Sequence, residues 1–461
     1  MKKLSLRSAV VFGIALLFTF GIVLFLIFYF SNATDWAMFS GNTHIYTDGE
    51  FTGGGKILDR NGTVLAKTKN GKRIFSDDYT TRLSTLHAVG DANGFISTGA
   101  HTAFRDLLSG YNFFTGLFST SKKHNDLTLT IDAEVCNAAY NALGSYKGTV
   151  GLYDYKRGNL ICMVSKPGFD VQSKTDTEKA KDGQYEGVFL NRFLASSYAP
   201  GSTFKMITAA AAIDTFDDAY KRKYTCKGTC TIGGEEVKCT GYHGAISLKQ
   251  AFAVSCNCYF SQLAVDLGKD TMTDYAEKFG FNKDFDLEGI PAKRSSYIVD
   301  DARKIELGWS GIGQYNDMQN PLQYLTAVGG IANGGKPVKP HIIEKLTSPA
   351  GFTLRSGSTD TLSRIVSEDT AKKVEKLMDG AVKITYRKEF FGDLDICGKT
   401  GTAEVDGKTP HSEFIGFATD EKYPFAFVVV VEEGGSGNDI AKIVANATLQ
   451  AAKKSYSKNR P

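Results

Sequence analysis

The sequence predicts an α+β protein whose main body follows an apolar anchor helix and a small β-rich spacer. Three observations carry this reading. No charged residue occurs between Ser8 and Thr34, and Ala9 to Phe30 is almost wholly apolar. Residues 31–125 are rich in Gly, Thr, Asn and Asp, with only short strand-like pieces. Beyond Asp126, strand patterns stand at both ends of the remaining chain and helix patterns fill its middle, the order of an α+β body rather than of alternating βαβ units.

The elements follow in order. A helix needs about 20 apolar residues to cross the hydrocarbon core, so residues 9–30 are expected to span a membrane once. They exceed the roughly 7–15-residue apolar core of a cleaved signal, and no Ala-x-Ala site follows Phe30. Lys2, Lys3 and Arg7 precede the span, so residues 1–8 are expected in the cytoplasm and the rest outside it. In the spacer, Lys56-Ile-Leu-Asp59 and Thr63-Val-Leu-Ala66 flank the turn pair Asn61-Gly62 and read as paired strands. In the body, residues 126–461, Asp132 to Leu143 reads as a helix, and Thr149 to Tyr155 with Asn159 to Val164 as a hairpin. Pro200-Gly201 breaks the chain before Ser202 to Ile213, an Ala-rich helix with no outward polar face, hence buried on most sides. Ser247 to Gly268 and Thr271 to Gly280 read as helices. Asp395 to Glu404, Glu413 to Thr419 and Phe425 to Glu432 read as strands, and a helix begins at Ile440.

The net charge is +4, and three of those charges precede the span. The remainder is near neutral, which argues against a nucleic-acid binder. There are eight cysteines. Cys226, Cys230, Cys239 and His243 have the composition of a Cys3His zinc site, but in an extracytoplasmic chain a disulfide from Cys239 to Cys226 or Cys230 is the stronger expectation. Cys256 and Cys258 straddle Asn257 and are poor partners for each other. Cys136, Cys162 and Cys397 lie in apolar runs and are expected to be small buried hydrophobes.

Three short patterns can do chemistry. Ser202-Thr-Phe-Lys205 opens the buried helix, which puts amine and hydroxyl one turn apart. Serine attacks only when a base takes its proton. Burial, a second cation and the helix N-terminus all favour the neutral amine that can be that base. Alone the pattern is weak: Ser119/Lys122 and Ser455/Lys458 match it too, in a polar linker and a charged tail. Ser255-Cys-Asn257 offers a hydroxyl to relay a proton and an amide to hold a peptide, although Ser40/Asn42, Ser436/Asn438 and Ser457/Asn459 share its spacing. Lys399-Thr400-Gly401-Thr402 occurs once; on a strand it presents a cation and hydroxyls to an anion, with Gly401 allowing close approach to the backbone.

Taken together and in this order, the three are the set found in β-lactamases and penicillin-binding proteins. Ala199-Pro-Gly-Ser-Thr-Phe-Lys205, Ser255-Cys-Asn257 and Gly398-Lys-Thr-Gly-Thr-Ala-Glu404 resemble the transpeptidase domain of a penicillin-binding protein. So do Leu129-Thr-Ile-Asp132, Gly311-Ile-Gly-Gln314 and Phe414-Ile-Gly-Phe-Ala418, while Ile57-Leu-Asp-Arg-Asn-Gly62 resembles the first module of class B members. The short spacer, about 95 residues, is similar to that of compact members of the class.

The resemblance implies a β-lactamase/D,D-peptidase-like fold: an antiparallel sheet flanked by helices, plus a helical subdomain. It implies a peptidoglycan D,D-transpeptidase that is acylated at Ser202 by a stem peptide ending in D-Ala-D-Ala, releases D-Ala, and passes the acyl group to a neighbouring amine. Lys205 would accept the serine proton, and Ser255 would pass a proton to the departing amine. Asn257 would bind the donor's side amide. Lys399, Thr400 and Thr402 would hold the terminal carboxylate beside Gly401, with the backbone N–H groups of Ser202 and Thr402 as oxyanion hole. β-Lactams would acylate the same serine, and no metal or organic cofactor is called for. A polytopic wall glycosyltransferase is the expected membrane partner. Two rivals use the same residues differently: a D,D-carboxypeptidase or β-lactamase, with water as acceptor, and a non-catalytic β-lactam sensor or scaffold. The anchor and spacer argue against the first, the three intact motifs against the second.

Overall fold

The computed structural model describes residues 2–112, 118, 124–405 and 407–458. Helix α1 (Lys2–Ala37) runs seven residues past the predicted span. Its Ser5–Ala37 portion, with mean hydropathy 2.9 in its most apolar window, is the one helix among the described residues long and apolar enough to cross a membrane, and nothing in the chain buries that window. The predicted turn at Asn61-Gly62 joins β1 (Ile57–Leu58) to β2 (Val64–Lys69), and Gly62 takes the left-handed φ of 87° that the turn requires. Strand β3 (Lys72–Phe75) pairs with β2.

Strand β4 (Asp126–Leu129) lies parallel to β1, so the sheet crosses the expected border at 125/126. The Asp59 carboxylate reinforces the joint. It accepts backbone N–H bonds from Asn61 (2.9 Å) and Thr63 (2.7 Å) within its own turn, and from Ala133 (3.1 Å) at the start of α2 (Ala133–Ala142). Arg60 donates to the Tyr456 hydroxyl at 3.0 Å and stacks on its ring. The Ile57–Gly62 segment thus packs against the body through buried polar contacts, although its sequence reads as an independent spacer.

Strands β5 (Gly148–Asp154) and β6 (Leu160–Lys166) form the predicted hairpin. The buried helix α3 (Lys205–Thr215) follows a single 3₁₀ turn, Gly201–Phe204. Lys205 through Ala212 are all buried, because the run offers methyls rather than a polar stripe to every neighbour. A long hairpin, β7 (Lys223–Ile232) and β8 (Glu235–Ser247), precedes α4 (Leu248–Ala253) and α5 (Asn257–Lys278). The expected continuous helix from Ser247 is interrupted at residues 254–256, where Ser255 adopts a left-handed φ of 56°. Two helical segments of α5 meet at Gly268, whose φ of 79° no helix accommodates. Helix α6 (Pro321–Ala332) is followed by β9 (Ile343–Thr347) and β10 (Thr353–Ser356), which complete the first sheet in the order β10-β9-β4-β1-β2-β3.

Helix α7 (Glu368–Ala381) leads to β11 (Ile396–Ala403), β12 (His411–Ala418) and β13 (Phe425–Val431), and α8 (Ile440–Lys458) closes the described chain. The second sheet, β11-β12-β13-β5-β6, is antiparallel throughout. Helices α6 and α8 pack on its central strands. Every residue of the central strand β13 is buried, which is why Phe425-Ala-Phe-Val-Val-Val-Val431 is apolar without alternation. This antiparallel sheet with flanking helices, beside a helical subdomain, is the predicted architecture. Its edge strand β11 packs against the 3₁₀ turn that precedes α3.

Candidate active site

The 3₁₀ turn and β11 touch through backbone, and glycine makes this possible. A Cβ on Gly401 would stand 2.9 Å from the Pro200 carbonyl oxygen, and one on Gly201 would stand 2.8 Å from that of Thr402. Gly201 also takes a φ of 50° and donates its N–H to the Gly313 carbonyl at 2.8 Å. These contacts set Ser202 beside Thr402 at one end of a cleft of 340 Å³ also lined by Glu236, Lys238, Asn257, Trp309, Gln314 and Glu404.

Lys205, fully buried, is the hub. Its Nζ lies 2.9 Å from Ser202 Oγ, 2.7 Å from Asn257 Oδ1, 2.8 Å from the Ser255 carbonyl oxygen and 3.2 Å from Ser255 Oγ. An ammonium has three protons to give, whereas a neutral amine has two and a lone pair that can accept from a serine hydroxyl. Burial, and then the charge of Lys399, hold the Lys205 amine well below its ordinary pKa. The second lysine arrives from β11. Lys399 Nζ donates to Ser255 Oγ at 2.9 Å and to the Thr400 carbonyl at 2.9 Å. It is also fully buried, which lowers its pKa to about 7. Glu413, opposite Gly401 in the sheet, is fully buried, and burial pushes its carboxyl up to about 8, which weakens it as a counter-charge.

Ser255 therefore joins the two lysines, and its left-handed backbone aims the hydroxyl between them. A left-handed non-glycine residue costs on the order of 1 kcal/mol, and the turn is secured by Cys256 N–H donating to the Ala251 carbonyl at 2.9 Å. All of the predicted residues of the three patterns converge here: Ser202, Lys205, Ser255, Asn257, Lys399, Thr400, Gly401 and Thr402. Of the competing matches, Ser455 is buried and donates to Asp132, remote from the cleft. Ser119 and Lys122 lie outside the described residues.

Sequence reading missed Tyr386. It ends a π-helical turn (Val382–Tyr386) after α7, and its buried hydroxyl accepts from Thr400 N–H (3.1 Å) and from Thr400 Oγ1 (2.9 Å). No pattern in the chain marks it. The expected disulfide is also absent: all eight cysteines are free thiols. Nor do Cys226 and Cys230 meet at one point. Both lie on β7, but Gly228, with a φ of 85°, bends the strand between them, and Cys230 Sγ turns to the Cys258 carbonyl at 3.8 Å.

The site's geometry agrees with the comparisons to known proteins. Residues 148–450 match the family model described as the penicillin binding protein transpeptidase domain. The chain is 30% identical over 448 residues, 88% of either protein, to the peptidoglycan D,D-transpeptidase PbpA of Mycolicibacterium smegmatis. Among solved structures, penicillin-binding protein A from M. tuberculosis, a ceftriaxone acyl-enzyme complex, superposes with a TM-score of 0.76 at 25% identity, covering 87% of this chain and 98% of that one. The D,D-transpeptidase domain from Eggerthella lenta has the same TM-score and coverage at 27% identity. With about two thirds of its length inside the family model, the chain belongs to the penicillin-binding protein transpeptidase family.

Proposed function

We propose that this chain is a peptidoglycan D,D-transpeptidase, a serine-type acyltransferase that also binds β-lactams, and that the residues assembled above carry its chemistry. The observation that carries the reading is the hydrogen-bonded row Ser202–Lys205–Ser255–Lys399, whose two lysines are buried and whose Ser202 opens to the cleft. Neutral Lys205 takes the Ser202 proton as Oγ attacks the penultimate carbonyl of a D-Ala-D-Ala donor. The proton returns through Ser255 to the departing D-Ala amine, and the acyl-enzyme then passes to an acceptor amine, with Lys205 again as base. Lys399, Thr400 and Thr402 hold the donor carboxylate, Asn257 its side amide. Backbone N–H groups of Ser202 and Thr402 stabilise the oxyanion, usually the largest single catalytic contribution. The backbone contact between Gly201 and Thr402 supports that pairing.

Residues 9–30 anchor the protein, with residues 1–8 in the cytoplasm and the catalytic body outside. Residues 31–125 form a pedestal, and residues 126–461 the transpeptidase unit. The pedestal and anchor offer the contact for a polytopic wall glycosyltransferase. The test supplies the full chain in detergent with a polymerised glycan bearing pentapeptide stems. Crosslinked dimers forming with stoichiometric D-Ala release are expected. D-Ala release without dimers would make the protein a carboxypeptidase, and no release at all would make it a sensor or scaffold.

A further inference from the structure

Behind the Ser255–Asn257 turn lies a cluster that the proposed chemistry does not use. Cys226 on β7, Cys239 and His243 on β8, and Cys256 bring their ligand atoms within 4.8 Å of one another. Cys226 and Cys256 are buried, and the other two are half-buried. The hairpin is deformed to achieve this. Its register slips between Lys238 and Tyr242 and again between Tyr242 and Gly244, which takes Cys239 and His243 out of regular pairing. Bulges of this kind re-aim side chains next to active sites.

Two of the spacings, both from Cys239, are those of a tetrahedral metal centre. Zinc–sulfur bonds of about 2.3 Å and zinc–nitrogen bonds of about 2.05 Å at tetrahedral angles place two sulfurs about 3.8 Å apart, and a sulfur and a nitrogen about 3.6 Å apart. Cys239 Sγ and Cys256 Sγ are 3.8 Å apart, and Cys239 Sγ and His243 Nδ1 are 3.6 Å apart. A disulfide would need about 2.05 Å. The surrounding donors suit thiolates: Asn257 N–H points to Cys239 Sγ at 3.3 Å, and Tyr259 N–H to Cys256 Sγ at 3.4 Å. Such N–H···S bonds are the usual outer shell of a thiolate centre. Cys256 is also the N-cap of α5, where the helix dipole favours negative charge.

We infer that Cys226, Cys239, His243 and Cys256 form a structural Cys3His site for zinc or a similar thiophilic divalent cation, which fastens the Ser255–Asn257 turn to the β7–β8 hairpin. Binding replaces the protons of three thiols and uses one imidazole nitrogen. The consequence for the cleft is direct, because Cys256 lies between Ser255 and Asn257, which both contact Lys205. Asn257 Nδ2 already donates to the Lys238 carbonyl at 3.2 Å, so the metal adds a covalent brace to a polar one. Cys256 replaces Cys230 in the set that sequence spacing suggests, because Cys230, four residues further along β7, approaches the Cys258 carbonyl at 3.8 Å instead.

The test uses full-length protein in detergent, purified under reducing conditions. Metal content is measured by mass spectrometry of the elements, and cobalt(II) is then substituted. About one zinc per chain is expected, together with the thiolate-to-cobalt charge-transfer band and tetrahedral d–d spectrum of a sulfur-rich site. Cys226→Ser and His243→Ala should each lose metal at least tenfold, while His243→Cys, which keeps four ligands, retains it. The effect on catalysis rests on the Ser202 chemistry proposed above, whereas metal content does not. Chelation should slow acylation by a fluorescent penicillin about tenfold, and added zinc should restore it. Protein that takes up neither zinc nor cobalt, or that carries a Cys239–Cys256 disulfide in its native membrane, would overturn the assignment.

Discussion

Ser255→Ala isolates the hydroxyl that links the two lysines. Ser255 Oγ contacts Lys399 Nζ at 2.9 Å and Lys205 Nζ at 3.2 Å, so the substitution cuts the proton path between them. Lys205 keeps Ser202 Oγ, Asn257 Oδ1 and the Ser255 carbonyl, so its position survives. A positioned acid or base contributes roughly 10²–10⁴-fold. The retained contacts favour the lower end, a loss of about 100-fold or about 2.7 kcal/mol of transition-state stabilisation. The backbone provides an internal control. Alanine at a φ of 56° is as strained as serine, whereas glycine is relieved by about 1 kcal/mol. Ser255→Ala and Ser255→Gly should therefore fall together in acylation rate yet differ in stability, with glycine the more stable. Stopped-flow acylation by a fluorescent penicillin, paired with thermal unfolding, reads both. An alanine variant that acylates within about threefold of the parent would refute the relay.

Other predictions follow from neighbouring residues. Lys399→Met removes a buried amine whose pKa is depressed to about 7. The folded state then binds fewer protons than the unfolded one between about 7 and 10.4, so the parent gains stability as pH rises through that window. The melting-temperature advantage of Lys399→Met should accordingly be largest near pH 7 and shrink toward pH 10, while its acylation by carboxylate-bearing β-lactams collapses. Tyr386→Phe strips the acceptor from Thr400 N–H and Oγ1. It should destabilise the fold by about 1–3 kcal/mol and lower kcat/KM about tenfold, measured by denaturant unfolding and donor turnover. Asp59→Ala leaves three backbone donors without their carboxylate, and one of them starts α2. A loss of about 2–3 kcal/mol is expected in thermal unfolding, with the acylation rate of the remaining folded protein unchanged.

Much of this molecule was legible in its residues, and the exceptions share a cause. Buried strands and helices announced themselves because their apolar runs are local: Phe425–Val431 and Lys205–Ala212 each declare burial on several sides at once. The three chemical patterns were legible because their order is specific, and the fold brings all of them to one cleft. What stayed hidden depends on contacts distant in sequence. The parallel pairing of Ile57–Leu58 with Leu127–Thr128 leaves no local trace, so the pedestal reads as separate. Tyr386 acts through a hydroxyl in an irregular turn. Cys256 joins Cys239 only because the chain turns at Ser255 with a left-handed φ of 56°, a conformation that nothing in Ser-Cys-Asn announces. The expected helix from Ser247 failed at the same place and for the same reason.

The most direct test of a nucleophilic Ser202 served by an uncharged Lys205 is the mass of the intact chain after exposure to penicillin, followed by peptide mapping. One added penicillin mass is expected, carried by the peptide containing Ser202 and missing from a folded Ser202→Ala variant. Antibiotic recovered whole with no adduct, or an adduct on another residue, would contradict it.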